Sequence, residues 1–214
     1  MTFRSIAHEQ GSTQWLHWRH NGIGASDAPA LLGENPWKRP ERLFMEKTSP
    51  PRTGYARSGP APAATADLFA SARPVTIGSN LSAMARGNAL EPQARALYCR
   101  HTGTDMQPLC LESTARPWQR ASLDGINLAS RRLVEIKCGD KVYAHTAETG
   151  AVPGYYTGQL QHILAVTDFE AIDFWVWLPG LTPLLLTVPR DEPYIARMTA
   201  AEAAFWSRVE AARG

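Results

Sequence analysis

The sequence predicts an α/β fold, a mixed central β-sheet flanked by helices, in a single domain spanning residues 1–214. Three observations predict it. Helix signals fill the first part of the chain. Three strand-like runs, "PLCLES", "WQRASLDGI" and "RLVEIKC", then follow one another closely. Two apolar runs, "AIDFWVWL" and "TPLLLTV", come only after the helical stretch "GYYTGQLQHILAVT". The resulting order is helices, a sheet crossed by a helix, and a final helix.

Taken in chain order, residues 12–47 read as three helical pieces. They are "STQWLHWRHNG", then "SDAPALLG" with Ser26 placed to cap it, then "PERLFMEK" from Pro40. Residues 48–76 are rich in Pro, Ala, Gly and Ser and read as a long, mobile loop or insertion. In "NALEPQARALYCRHTG", Asn88 can cap a helix that stops at Gly103, with Glu91 at its third position. Pro92 is tolerable there, because first-turn amides lack intrahelical partners. After the three strand-like runs and the crossing helix, "AIDFWVWL" alternates Ile172, Phe174 and Val176 with Trp175 and Trp177. Both faces of that strand should therefore be covered. Pro179 and Gly180 turn the chain into "TPLLLTV", and Asp191 and Pro193 open a C-terminal helix.

Composition excludes several classes. A formal net charge of +2 gives no bulk polybasic character, yet 18 of the 22 basic residues are arginine. Arginine's planar fork suits phosphate, although the same bias follows from a GC-rich genome. Cys99, Cys110 and Cys138 show no Cys-x-x-Cys or Cys/His spacing, which speaks against structural zinc or an iron–sulfur cluster and for reduced thiols. The six histidines are scattered, and His162 reads as structural. No apolar signal core and no run of about 18 apolar residues is visible, so no membrane partner is expected. The expected setting is soluble and intracellular.

The chemistry concentrates in "SLDGINLASRRLVEIKCG". A period of two puts Val134, Ile136 and Cys138 on one strand face and Leu133, Glu135 and Lys137 on the other. Glu135 and Lys137 then stand side by side, about 6.6 Å apart along the strand. A hairpin from Asp124 to Glu135 brings two carboxylates together, and such a pair repels unless a cation lies between. Hard oxygen ligands with open water positions suit magnesium or manganese. A lysine alongside can orient water or offset charge on a phosphate. A solvated Glu–Lys hairpin edge would show the same spacing.

Five stretches sharpen this reading: "WLHWRHNGIGASDAPALLGENPW", "ARGNALEPQARALY", "SLDGI", "VEIKCG" and "YYTGQLQHILAV". In order and rough spacing they resemble the phage-type alkaline exonucleases, the lambda exonuclease and YqaJ-type viral recombinase group of the PD-(D/E)xK nuclease superfamily. The resemblance implies a restriction-endonuclease-like core. It matches Asp124, Glu135, Glu91 and the Ile136 carbonyl to ligands of two Mg2+ ions, with Mn2+ as a substitute. It matches Lys137 to the catalytic lysine and Gln159 to a residue that positions water or the scissile phosphate. Arg19, Ser26 and Ser122 match a pocket for a 5′-terminal phosphate. Met84 falls where the family places a strand-parting wedge, and core filling is its other reading. Tyr156 reads as packing. Trp15 and Trp18 either stack on bases or bury the first helix.

The activity so implied is 5′-to-3′ digestion of one strand of double-stranded DNA from its ends. Mononucleotides are released, and 3′ single strands are left for an annealing protein. A homotrimer in the bacterial cytoplasm, encoded by phage or prophage, goes with it. Two rival readings stay open from the residues: an end-independent endonuclease of the same superfamily, and a non-catalytic DNA-end-binding scaffold.

Overall fold

A computed structural model describes residues 2–51 and 83–214. Strand β1 (Phe3–Ile6) leads into α1 (Thr13–His20), β2 (Ile23–Gly24), a 3-10 turn (Ala25–Asp27), α2 (Ala28–Leu31) and α3 (Pro40–Thr48). Then come α4 (Ala83–Thr102), β3 (Gln107–Ser113), β4 (Gln119–Asn127), β5 (Arg132–Lys137) and α5 (Asp140–Thr149). A second 3-10 turn (Gly154–Tyr156) precedes α6 (Thr157–Thr167), β6 (Ala171–Val176), β7 (Leu184–Pro189) and α7 (Glu192–Arg213).

The strands form one mixed sheet in the order β1-β3-β4-β5-β6-β7, with β2 paired to β4 beside that path. β5 and β6 run parallel, as do β2 and β4, and the remaining pairs are antiparallel. The parallel β5–β6 step needs a crossover, which α5 and α6 supply.

The predicted strand faces hold. Leu133, Ile172, Phe174 and Val176 join a core with Leu160, Ile163 and Leu164 of α6 and Met198 of α7. Val134, Ile136, Cys138, Trp175 and Trp177 join a second core on the opposite face with Leu90, Ala94 and Tyr98 of α4. A third cluster seats α3 against the far end of α7 through Leu43, Phe205 and Val209. Helices therefore cover both faces of the sheet. His162 is buried as a structural residue: Nδ1 lies 2.6 Å from Glu202 and Nε2 lies 2.9 Å from the Arg120 carbonyl oxygen.

Several boundaries differ from the sequence expectation. Helix α4 begins at Ala83, so Asn88 and Glu91 lie inside it and neither caps it. Pro92 is likewise internal, where it forgoes the bond to the carbonyl four residues back. Ser26 does not cap α2; it sits within the 3-10 turn, and Asp27 instead accepts a hydrogen bond from the Gly24 N–H at 3.3 Å. The elements β1, β2 and α5 were not predicted. Of the expected loop at 48–76, Thr48 closes α3, and residues 52–76 lie outside the described residues.

Candidate active site

The site is built where the sheet's regular pairing breaks. Along β4, Leu109 of β3 faces Leu123 and Gln107 faces Ile126, so three steps on β4 meet two on β3. The extra residue is a bulge at Asp124–Gly125, a device that re-aims a side chain. It keeps Leu123 and Ile126 in the same core and turns Asp124 toward the β5 side. Gly125 is required at this point. A Cβ there would come within 2.7 Å of Val134 Cγ1 and 3.0 Å of Met106 Cβ. Across the hairpin Gly125 pairs with Val134, which leaves Asp124 level with Glu135.

The Asp124 carboxylate is anchored by the Ile136 N–H, which donates to Oδ2 at 2.8 Å. Glu135 is 2% exposed. Its Oε1 accepts from Lys137 Nζ at 2.6 Å and from Gln159 Nε2 at 2.5 Å, while Oε2 is buried without a hydrogen-bond partner. Gln159 is brought in by the first turn of α6, and Lys137 Nζ also approaches its Oε1 at 3.5 Å. The Lys137 ammonium lies 4.8 Å from the ring centre of Tyr156, so Tyr156 packs directly on the site. From the opposite face α4 delivers Glu91, whose carboxylate pairs with Arg95 one turn on. Arg95 Nε donates to the Asp124 carbonyl at 2.5 Å, tying α4 to the bulge. Arg95 was missed in the sequence; its only signal is the four-residue spacing from Glu91.

These charges are out of balance. Burial and then the Asp124 charge push the Glu135 carboxyl up to about 7, against the pull of Lys137. Burial likewise raises Asp124, opposed by Lys137 and the Ile136 N–H. Burial would lower Lys137, but the Glu135 and Asp124 charges outweigh it and raise the ammonium. One ammonium at the centre, with Arg95 acting on Asp124 from α4, leaves the buried Glu135 and half-buried Asp124 carboxyls both raised.

That deficit, together with the orphaned Glu135 Oε2, fits a divalent cation. Hard oxygen donors from Asp124 and Glu135 suit Mg2+, which keeps several waters and does not need a complete protein cage. Among the described residues no three acidic, histidine or cysteine side chains form a closed cluster for a metal. Glu91 gives its Oε1 to Arg95, so its part in binding a cation would fall to the other carboxylate oxygen or require that ion pair to open.

The same cavity, about 610 Å³, has a basic end. Arg19 of α1 donates through Nη2 to Ser26 Oγ at 2.8 Å. Its guanidinium lies 4.6 Å over the Trp15 ring, and Trp15 Nε1 donates to Ser122 Oγ at 2.8 Å. Trp15 thus links all three residues expected to hold a phosphate. Trp18 is buried and donates to Glu112 at 3.1 Å, so it is no base platform. Met84 is 75% exposed at the cavity wall and belongs to no core cluster among the described residues. All ten site residues singled out in the sequence line this one cavity.

Behind Arg19 lies a buried ion pair the sequence did not suggest. Lys47 Nζ meets Asp27 Oδ2 at 2.9 Å and donates to the Arg19 carbonyl at 2.9 Å. Lys38 stands 3.7 Å from the other Asp27 oxygen. Burial pushes Asp27 up, but Lys47, Arg19 and Lys38 outweigh it and hold the carboxyl well below the usual carboxylate range.

Comparison with known proteins agrees with this architecture. The alkaline exonuclease LHK-Exo from Laribacter hongkongensis shares the fold with a TM-score of 0.72 at 22% identity, over 94% of this chain and 93% of that one. That exonuclease is also known in complex with dAMP. A phage-related exonuclease from Haemophilus somnus 129PT aligns with a TM-score of 0.51 at 13% identity, over 88% of this chain and 95% of that one. The uncharacterized protein YqaJ of Bacillus subtilis (strain 168) is 24% identical over 203 residues. The match takes in 93% of this chain and 56% of that protein, so the chain spans little more than half of that relative's length. Residues 14–170 match the YqaJ-like viral recombinase domain, and the chain belongs to that family.

Proposed function

We propose that this chain is a Mg2+-dependent exonuclease that digests one strand of double-stranded DNA from a 5′ end, releasing mononucleotides. One observation carries the reading: a cation-hungry carboxylate–lysine site and a guanidinium–hydroxyl anion pocket share one cavity. A terminal phosphate held by Arg19, Ser26 and Ser122 would fix which end enters and which bond comes next. Lys137, steered by Glu135 and Gln159, would orient the attacking water or donate to a phosphate oxygen. Asp124, Glu135, the Ile136 carbonyl and Glu91 would hold the cation, with Mn2+ as a substitute. Bound there, it supplies Lewis-acid chemistry that lowers the pKa of water and offsets charge on the phosphate. Met84, exposed on the wall, would part the strands as they enter. The dAMP complex of LHK-Exo supports a mononucleotide product by analogy.

Family membership supports a biological setting for this activity. The 3′ single strands left behind would feed an annealing protein in phage-type recombination, and a homotrimer would enclose the duplex. A single nuclease domain in the cytoplasm suits that role. No helix among the described residues is long and apolar enough to cross a membrane.

The test is digestion of linear duplex labelled at one end, with and without a 5′ phosphate, alongside covalently closed plasmid. Release of labelled mononucleotide from phosphorylated 5′ ends, abolished by EDTA, supports the reading. Nicking of closed plasmid would replace it with an endonuclease, and binding without release would replace it with a scaffold.

A further inference from the structure

Six large apolar side chains stay exposed among the described residues, and one of them is aromatic: Trp37, 67% open. It lines the same cavity as Arg19, Ser26 and Lys137. Its exposure is not that of a frayed loop. Asn35 Oδ1 accepts from the Trp37 N–H at 2.8 Å and the Lys38 N–H at 3.0 Å, closing the turn that presents the ring. Lys38 is itself pinned by Glu46 at 2.7 Å. The ring stands edge-on to Tyr155, with centroids 4.9 Å apart and planes at 80°. Tyr155 in turn lies 4.6 Å from Tyr156, the ring beneath the Lys137 ammonium. A continuous aromatic row therefore runs from the cavity rim to the lysine of the acidic site.

The two tryptophans of α1 cannot serve as a platform there. Trp18 is buried, and Trp15 has its indole N–H on Ser122 and the Arg19 guanidinium over its ring. A ligand matching both a flat apolar surface and a neighbouring guanidinium–hydroxyl pocket needs an aromatic face and an anion in one molecule. A nucleotide has both. We infer that Trp37, backed by Tyr155, is a stacking platform for the outermost base of a DNA end, an inference that rests on the DNA-end reading above. Every base has a π-face, so the contact grips the end without selecting its sequence.

The experiment measures end affinity in EDTA, so that no turnover intervenes, with phosphorylated duplexes whose outermost pair is either intact or abasic in both strands. Wild type should lose on the order of tenfold in affinity when the outermost bases are removed. Trp37→Ala should show that same loss on intact DNA and no further loss on the abasic end. Trp37→Phe, which keeps an aromatic face, should recover most of it. If wild type and Trp37→Ala respond equally to base removal, or neither responds, Trp37 is not the platform and the end-binding reading stands. If neither protein binds phosphorylated ends at all, the reading beneath the inference falls with it.

Discussion

Two carboxylate–lysine pairs lie in and behind one cavity, Glu135–Lys137 at its acidic end and Asp27–Lys47 behind Arg19 at its basic end, at nearly the same separation: 2.6 Å and 2.9 Å. Their carboxyl groups are driven in opposite directions. Asp27 is held well below the ordinary range, while Glu135 is pushed up to about 7. Pair distance cannot be the cause, and burial raises both. The difference lies in the next charges out. Asp27 is surrounded by Lys47, Arg19 and Lys38, whereas Glu135 faces Asp124 and Glu91 as well as Lys137. One end of the cavity carries surplus positive charge and the other surplus negative charge. Surplus positive charge suits a phosphate, and surplus negative charge suits a metal cation.

The largest expected effect breaks the acidic end. Asp124→Ala or Lys137→Ala should each lower nucleotide release on the order of a thousandfold or more, with binding to DNA ends still measurable. Full release by either variant would remove the assignment. The next effect separates the two pairs by stability. Lys47→Met leaves Asp27 buried beside fewer cations and should cost about 3–5 kcal/mol in urea unfolding. Glu135→Gln in metal-free protein relieves a buried repulsion and keeps an oxygen to accept from Lys137 and Gln159, so it should stay within about 1 kcal/mol of wild type or exceed it. Equal costs for the two substitutions would show that surplus charge does not distinguish the ends.

How much of this was readable beforehand depends on how local each feature is. The faces of β5 were legible because alternation is a property of consecutive residues, and Glu135 and Lys137 emerged side by side as expected. The bulge that aims Asp124 was not, because it exists only as a mismatch with β3; Gly125 after Asp124 was its single trace. Asn88 and Pro92 imitate a helix start so well that the expected helix opens at Ala89, six residues after α4 does. Strand β1 was invisible because its partner lies more than a hundred residues away, Phe3 against Ser113. The Asp27–Lys47 pair joins a 3-10 turn to the last turn of α3, and nothing in either segment announces the other. Trp37 drew no reading of its own in the sequence, since exposure is decided by the whole fold.

At the basic end, Arg19→Ala removes the donor to Ser26 and the cation over Trp15. It should erode the preference for 5′-phosphorylated over 5′-hydroxyl ends by roughly ten- to a hundredfold, since a charged hydrogen bond contributes about 1.5–3 kcal/mol. An unchanged preference in a competition digest would detach the pocket from the terminus.

The smallest effect is a pair of opposed pH slopes in metal-free stability. Asp27 is depressed, so its contribution is present above the unfolded value of 3.8 and is lost as pH falls through the lower folded value. Glu135 is raised, so its contribution is present below the unfolded value of 4.5 and is lost as pH rises through about 7. Wild type should therefore decline relative to Glu135→Gln between pH 4.5 and about 7, and relative to Asp27→Asn only on acidification below 3.8. Urea midpoints across that range give both slopes from one protein set. Slopes of the same sign would mean the carboxylates share an environment, and the division of the cavity into a cation-seeking and an anion-seeking end would fail.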